Sequence, residues 1–142
     1  MFQDLTEPCK RQLIASEARK HLETPWVHQG RLPGVGIDCI GLLVLVAQSV
    51  GLPCEDTSAY ARQSNGYKLQ EELDAKLDRV DEVFPGCVLL FRIGKLPAHV
   101  GFKTDYGFIH TYITVRKVVE TTLSESWEKR LVQAYRFKEW EH

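Results

Sequence analysis

Cys39, His99 and His110 are the side chains whose types and positions in this sequence can run nucleophilic chemistry. Cys39 joins a glycine-punctuated stretch, Gly34-Val35-Gly36-Ile37-Asp38, to an almost wholly apolar run from Ile40 to Val50, which Gly51 and Pro53 stop. The pattern predicts a buried helix of about three turns beginning at Cys39. A cysteine at a helix start meets unpaired N–H groups and the positive end of the macrodipole. Its thiol is therefore expected to ionise more readily than a free one, whose pKa is about 8.5. Gly36 and Gly41 leave room for another backbone or a substrate to approach closely. Cys9, Cys54 and Cys87 lack this setting, and free cysteines are usually buried and inert.

His99 and His110 fall on two strand-like runs, 98–103 and 107–113, on either side of Thr104-Asp105-Tyr106. If Thr104 and Asp105 form a two-residue loop, the histidines face each other directly, with Cβ atoms about 4.5–5.5 Å apart. Val100, Phe102 and Ile109 then point to the other face. A bulge at the turn would shift this register. Two adjacent imidazoles can act as base and orienter for a thiol held above the sheet. Two other readings stay open: a pair of satisfied structural histidines, and a Cys/His/His zinc site. Asp38 reads first as a helix N-cap and second as a group for a substrate amine. His28 can line a cleft beside Trp26 or face solvent. Trp127 and Trp140 read as packing or surface residues.

The elements that must position these groups fit one domain, 1–142, with its core at about 8–137. Of 142 residues, 44% are hydrophobic and 26% charged, an ordinary globular composition. With 18 basic against 19 acidic residues and a net charge of -1, nothing points to nucleic acid or a generic membrane surface. Four cysteines without a CxxC read as neither a disulfide framework nor a zinc ribbon. The apolar run is too short to cross a bilayer, and residues 1–10 carry no signal-peptide pattern. The expectation is a protein made in the cytoplasm. Periodicity predicts a helix over 8–22 and a loop over 26–36, followed by the buried helix. A polar loop over 55–66 and a helix over 68–79 come next, the latter striped by Leu69, Leu73, Leu77 and Val80. Strands are expected at 87–92, 98–103, 107–113, 115–121 and 131–137, with a capped turn at 124–128 and a loose tail at 138–142. Helices first and strands later describe an α+β domain, the Cys39 helix packed on an antiparallel sheet of about five strands.

Several segments carry a family resemblance: Thr24-Pro25-Trp26-Val27-His28-Gln29-Gly30, Gly36-Ile37-Asp38-Cys39-Ile40-Gly41-Leu42, Pro85-Gly86-Cys87-Val88-Leu89-Leu90-Phe91, Ala98-His99-Val100-Gly101 and Phe108-Ile109-His110. In this order they resemble the NlpC-type cell-wall peptidases, which are papain-like cysteine peptidases. The compact form resembles the phage and prophage branch associated with tails. The similarity runs over about residues 13–137. It implies Cys39 as nucleophile, His99 as base and His110 as the residue orienting it, with no metal or organic cofactor. It implies hydrolysis of peptidoglycan stem peptides at D-γ-glutamyl–diamino-acid bonds. It also implies docking on phage tail-tip or hub proteins, so that the protein acts from a virion tail in the periplasm or cell wall. Trp26 stands where the family commonly has a tyrosine serving the oxyanion, and an indole N–H is a donor of different reach. Ile40 and Cys87 replace a common serine and aspartate. Two rival readings remain: a non-catalytic tail-tip component that keeps the fold, and a related amidase or acyltransferase.

Overall fold

Local capping explains where the helices begin. The computed structural model describes residues 1–56 and 67–141, so most of the loop expected at 55–66 lies outside the described residues. A 3-10 turn at Phe2–Asp4 precedes α1, Glu7–Arg19. Thr6 caps α1 by accepting from the Cys9 N–H at 3.4 Å, and Pro8 occupies the first turn, where its missing N–H costs nothing. Helix α2, Cys39–Val50, is capped by Asp38 and stopped by Gly51 at φ 75, a left-handed conformation that glycine adopts without strain. Helices α3, Tyr67–Lys76, and α4, Glu125–Glu128, follow, the second capped by Ser124.

The strands are β1 Arg31–Leu32, β2 Gly36–Ile37, β3 Leu77–Val80, β4 Val88–Ile93, β5 Leu96–Lys103, β6 Phe108–His110, β7 Val119–Thr121 and β8 Leu131–Phe137. β1 and β2 form a small hairpin ahead of α2. The other six make one antiparallel sheet in the order β3-β8-β4-β5-β6-β7. Four successive residues of central β4, Val88 to Phe91, are all buried, so both faces of that strand are covered. Ile40, Leu42, Leu43, Val44, Val46 and Ala47 of α2 share this core with Val100 and Phe102 of β5. The α+β architecture is as the patterning predicts. No described helix is long and apolar enough to cross a membrane.

Several expectations change. The sheet has six strands, because the predicted 68–79 helix ends at Lys76 and Leu77–Val80 becomes β3 against β8. Leu77 is buried either way, so its helical spacing from Leu73 carried no information about the switch. The first helix stops at Arg19 rather than near Leu22, and the strand expected over 115–121 shrinks to β7.

The tail also differs: it is anchored rather than loose. Trp140 is 1% exposed, lies edge-on to Phe2 and Phe84, and donates its indole N–H to both Glu7 carboxylate oxygens at 2.9 Å. A hydrogen bond to a charged group stabilises by about 1.5–3 kcal/mol, so Trp140→Phe is expected to lower unfolding stability by roughly that amount. Urea denaturation measures it; an unchanged midpoint would show that the tail does not hold the first helix.

Candidate active site

The start of α2 is built around Asp38, which is 4% exposed. Its Oδ1 accepts from the Gly41 N–H at 2.8 Å and from Arg31 Nη1 at 3.0 Å, and its Oδ2 accepts from the Gln29 N–H at 2.7 Å. One carboxylate thus caps the helix, ties down the preceding loop and pairs with a cation. The capping role weighed for Asp38 fits this geometry. The close approach anticipated at Gly41 is by backbone: a Cβ there would lie 2.3 Å from the Gly30 carbonyl oxygen. Trp26 is held by its N–H to the Arg116 carbonyl at 2.8 Å and bridges to Ile37, two residues before Cys39. Its half-buried ring lies 6.4 Å from that of His28. All four cysteines are free thiols.

His99 and His110 come together, but in a different register from the one expected. Thr104 N–H bonds the Gly107 carbonyl, so Asp105-Tyr106 is the loop and His110 stands opposite Gly101. Sliding the loop by one residue moves each partner by two, which preserves the face. The histidines are therefore diagonal neighbours on one face, and His99 Nε2 lies 2.8 Å from His110 Nδ1. Gly101 makes room: a Cβ there would meet the His110 Cβ at 3.1 Å and the Ile109 carbonyl oxygen at 2.7 Å. His110 Nε2 in turn lies 2.8 Å from Thr121 Oγ1 on β7. Both histidines are 1% exposed. Around them stand Phe91, Phe108, Tyr112 and Trp127, with ring centroids 4.8 Å for Tyr112 to His99 and 5.4 Å for Trp127 to His110. Trp127, Tyr112 and Thr121 were not singled out by sequence as site residues. Only Trp127, an aromatic next to a capped turn, carried a local cue.

Burial sets the charge states here, against the expected activation of the thiol. Desolvation, reinforced by the Asp38 carboxylate, pushes the Cys39 thiol up to about 12. The backbone N–H groups of Val100, next to His99 on β5, and of Ile40 and Cys39 favour the thiolate and offset only part of this. Burial, and then the neighbouring His110, pushes His99 well below its ordinary value, and burial pushes His110 down to about 4. At rest the thiol and both imidazoles are neutral. The helix-start effect is real but smaller than the cost of desolvating a thiolate. Among the described residues, no three His, Cys, Asp or Glu side chains are placed to hold a metal ion. The two rings point their nitrogens at each other instead.

The model of the NlpC/P60 family matches residues 23–136, which hold Cys39, His99 and His110. The chain belongs to this family. Its fold is similar to that of NlpC1 from Trichomonas vaginalis, with a TM-score of 0.73, 16% identity and 96% of this chain covered. It is also similar to the NlpC/p60 domain of the peptidoglycan hydrolase SagA, with a TM-score of 0.60, 22% identity, and 89% of this chain and 98% of that domain covered. An NLP/P60 family protein similar to a lipoprotein, from Staphylococcus aureus, gives a TM-score of 0.65 at 22% identity over 98% of this chain. The chain spans 47% of NlpC1 and 43% of the S. aureus protein, about half of each. No curated protein sequence matches it. In this NlpC/P60 domain, the cysteine begins the buried helix and the two histidines share one face of the sheet.

Proposed function

We propose that this NlpC/P60 domain hydrolyses peptidoglycan stem peptides at D-γ-glutamyl–diamino-acid bonds, with Cys39 as nucleophile. The observation that carries the reading is the 2.8 Å bond between His99 Nε2 and His110 Nδ1, on the strand next to Val100, whose backbone N–H favours the Cys39 thiolate. That bond occupies one nitrogen of His99. Its Nδ1 makes no hydrogen bond among the described residues and is the nitrogen left to serve a thiol. His99 Nδ1 takes the thiol proton as the sulfur attacks the carbonyl carbon, and returns it to the departing amine. Water then attacks the thioester, giving up a proton to His99, and the thiol is regenerated. His110 holds the His99 ring and its tautomer. The Asp38 side chain and carbonyl take the N–H groups of Gly41 and Leu42, so the first N–H groups of α2, at Cys39 and Ile40, can face the oxyanion. The test is digestion of purified cell walls, with released fragments identified by mass spectrometry. A new amino terminus on the diamino acid is expected, and intact stem peptides after prolonged incubation would sink the reading.

The charge states give this chemistry a pH signature. The base works when His99 is neutral, and a lowered pKa keeps it neutral to lower pH. The acid limb of kcat/KM is therefore expected below pH 6.5, the ordinary histidine value. A limb at or above it would mean that His99 is solvated or that an ion pair is the resting form.

The resemblance to compact prophage members supports a site of action on a phage tail, near the tip. Purified particles analysed by mass spectrometry should contain the chain. Its absence from intact particles, with free enzyme in cells, would remove the tail assignment and leave the peptidase chemistry standing.

A further inference from the structure

We infer that Thr121 is a positioning residue for this site: its hydroxyl accepts the His110 Nε2 proton and thereby fixes the tautomers of both histidines. The inference rests on the peptidase reading. A neutral imidazole carries one N–H, and the two rings share a single bond between His99 Nε2 and His110 Nδ1. Only one proton can lie in that bond, which leaves two arrangements. In the first, Thr121 accepts from His110 Nε2, His110 Nδ1 accepts from His99 Nε2, and His99 Nδ1 presents a lone pair. In the second, Thr121 donates, every proton shifts one nitrogen along, and His99 Nδ1 is protonated. Only the first arrangement supplies a base for a thiol.

The same arrangement suits the reacting state. When His99 gains a second proton, its Nε2–H still points at an acceptor on His110, so no proton has to leave that ring. Thr121 is also well held. It lies on β7 directly opposite Phe108, on the face that carries His110. Its neighbour Glu120 is gripped by Arg19 at 3.2 and 3.0 Å and by the Thr104 hydroxyl at 2.6 Å, which fastens this edge strand to α1 and to the β5–β6 turn. The strand is thus fixed from outside the site, and Thr121 reaches His110 at 2.8 Å from a strand anchored elsewhere.

The test compares Thr121→Val, which keeps the shape and removes the hydroxyl, with Thr121→Ser, which restores it. Losing the neutral hydrogen bond that holds the His110 tautomer is expected to lower kcat about two- to tenfold. KM is expected to stay unchanged, and the Ser variant to recover most of the rate. Imidazole ¹⁵N NMR of the resting protein gives a readout that needs no substrate. Nε2–H tautomers are expected for both histidines, with His110 becoming a mixture in Thr121→Val. Wild-type kcat in the Val variant, or an Nδ1–H His110 in the wild type, would overturn the inference while wall digestion still stood. A wild-type protein that leaves walls intact yet shows the tautomer shift would sink the peptidase reading and support the role of Thr121 in fixing the tautomers.

Discussion

Cys39→Ala is expected to abolish peptide release, a loss of about 10³-fold or more, because no other group in the site can form the acyl intermediate. The remaining cysteines offer no substitute. Cys9 is exposed on α1, and Cys87 is fully buried ahead of β4. The fold should survive. The substitution removes one sulfur from a half-buried helix start, while Asp38, the cap and the Gly30–Gly41 approach remain as they are. The stability cost is expected to be small beside the roughly 2–5 kcal/mol of emptying a core leucine site. Far-ultraviolet circular dichroism and a urea titration check the fold, and fragment release checks the chemistry. A folded variant that still cuts at the wild-type rate would remove Cys39 from the mechanism and with it the proposed reaction.

His99→Gln is expected to lower kcat by about 10²–10⁴-fold, the usual contribution of a positioned general base. The resting thiol is neutral, held up to about 12, so the reaction depends on a base during attack and cannot draw on a standing thiolate. This makes His99 more important here than in a site whose cysteine is already ionised. His110→Asn should cost less, because an amide oxygen can still accept from His99 Nε2. Steady-state kinetics on both variants checks the order of effects. A His99→Gln protein as active as His110→Asn would mean that the two histidines form a structural pair and that the proton goes elsewhere.

Several features of this site were legible in the chain itself. The run from Cys39 to Val50 is apolar on all sides, and a turn of glycines and a capping aspartate stand in front of it, so the helix and its first residue follow from local physics. The shared face of His99 and His110 follows from the two-residue period of strands, which survived a loop shifted by one residue. Gly101 in the His-Val-Gly stretch gains its reason only in the sheet, where His110 stands across from it. The missed strand β3 shows the converse. Leu73 and Leu77 sit at helical spacing, yet pairing with β8 turns the chain into a strand at Leu77. Trp140 reads as part of a loose tail until Phe2, Phe84 and Glu7 surround it from the other end of the chain.

The sequence by itself therefore determined the α+β class, the cysteine at a helix start, the histidine pair on one face and, through motif order, the family. Those properties depend on neighbours a few residues apart, which periodicity and capping encode. Tertiary structure alone decided the partners of His110 and the charge of the site. Thr121 comes from an edge strand, Trp127 from a short helix beyond it, and Tyr112 from the connection between β6 and β7. Their convergence buries both imidazoles, while the thiol is desolvated at the start of α2. Desolvation at such a site outweighs the field of one helix end, so a cysteine that local reasoning expects to ionise easily rests as a neutral thiol.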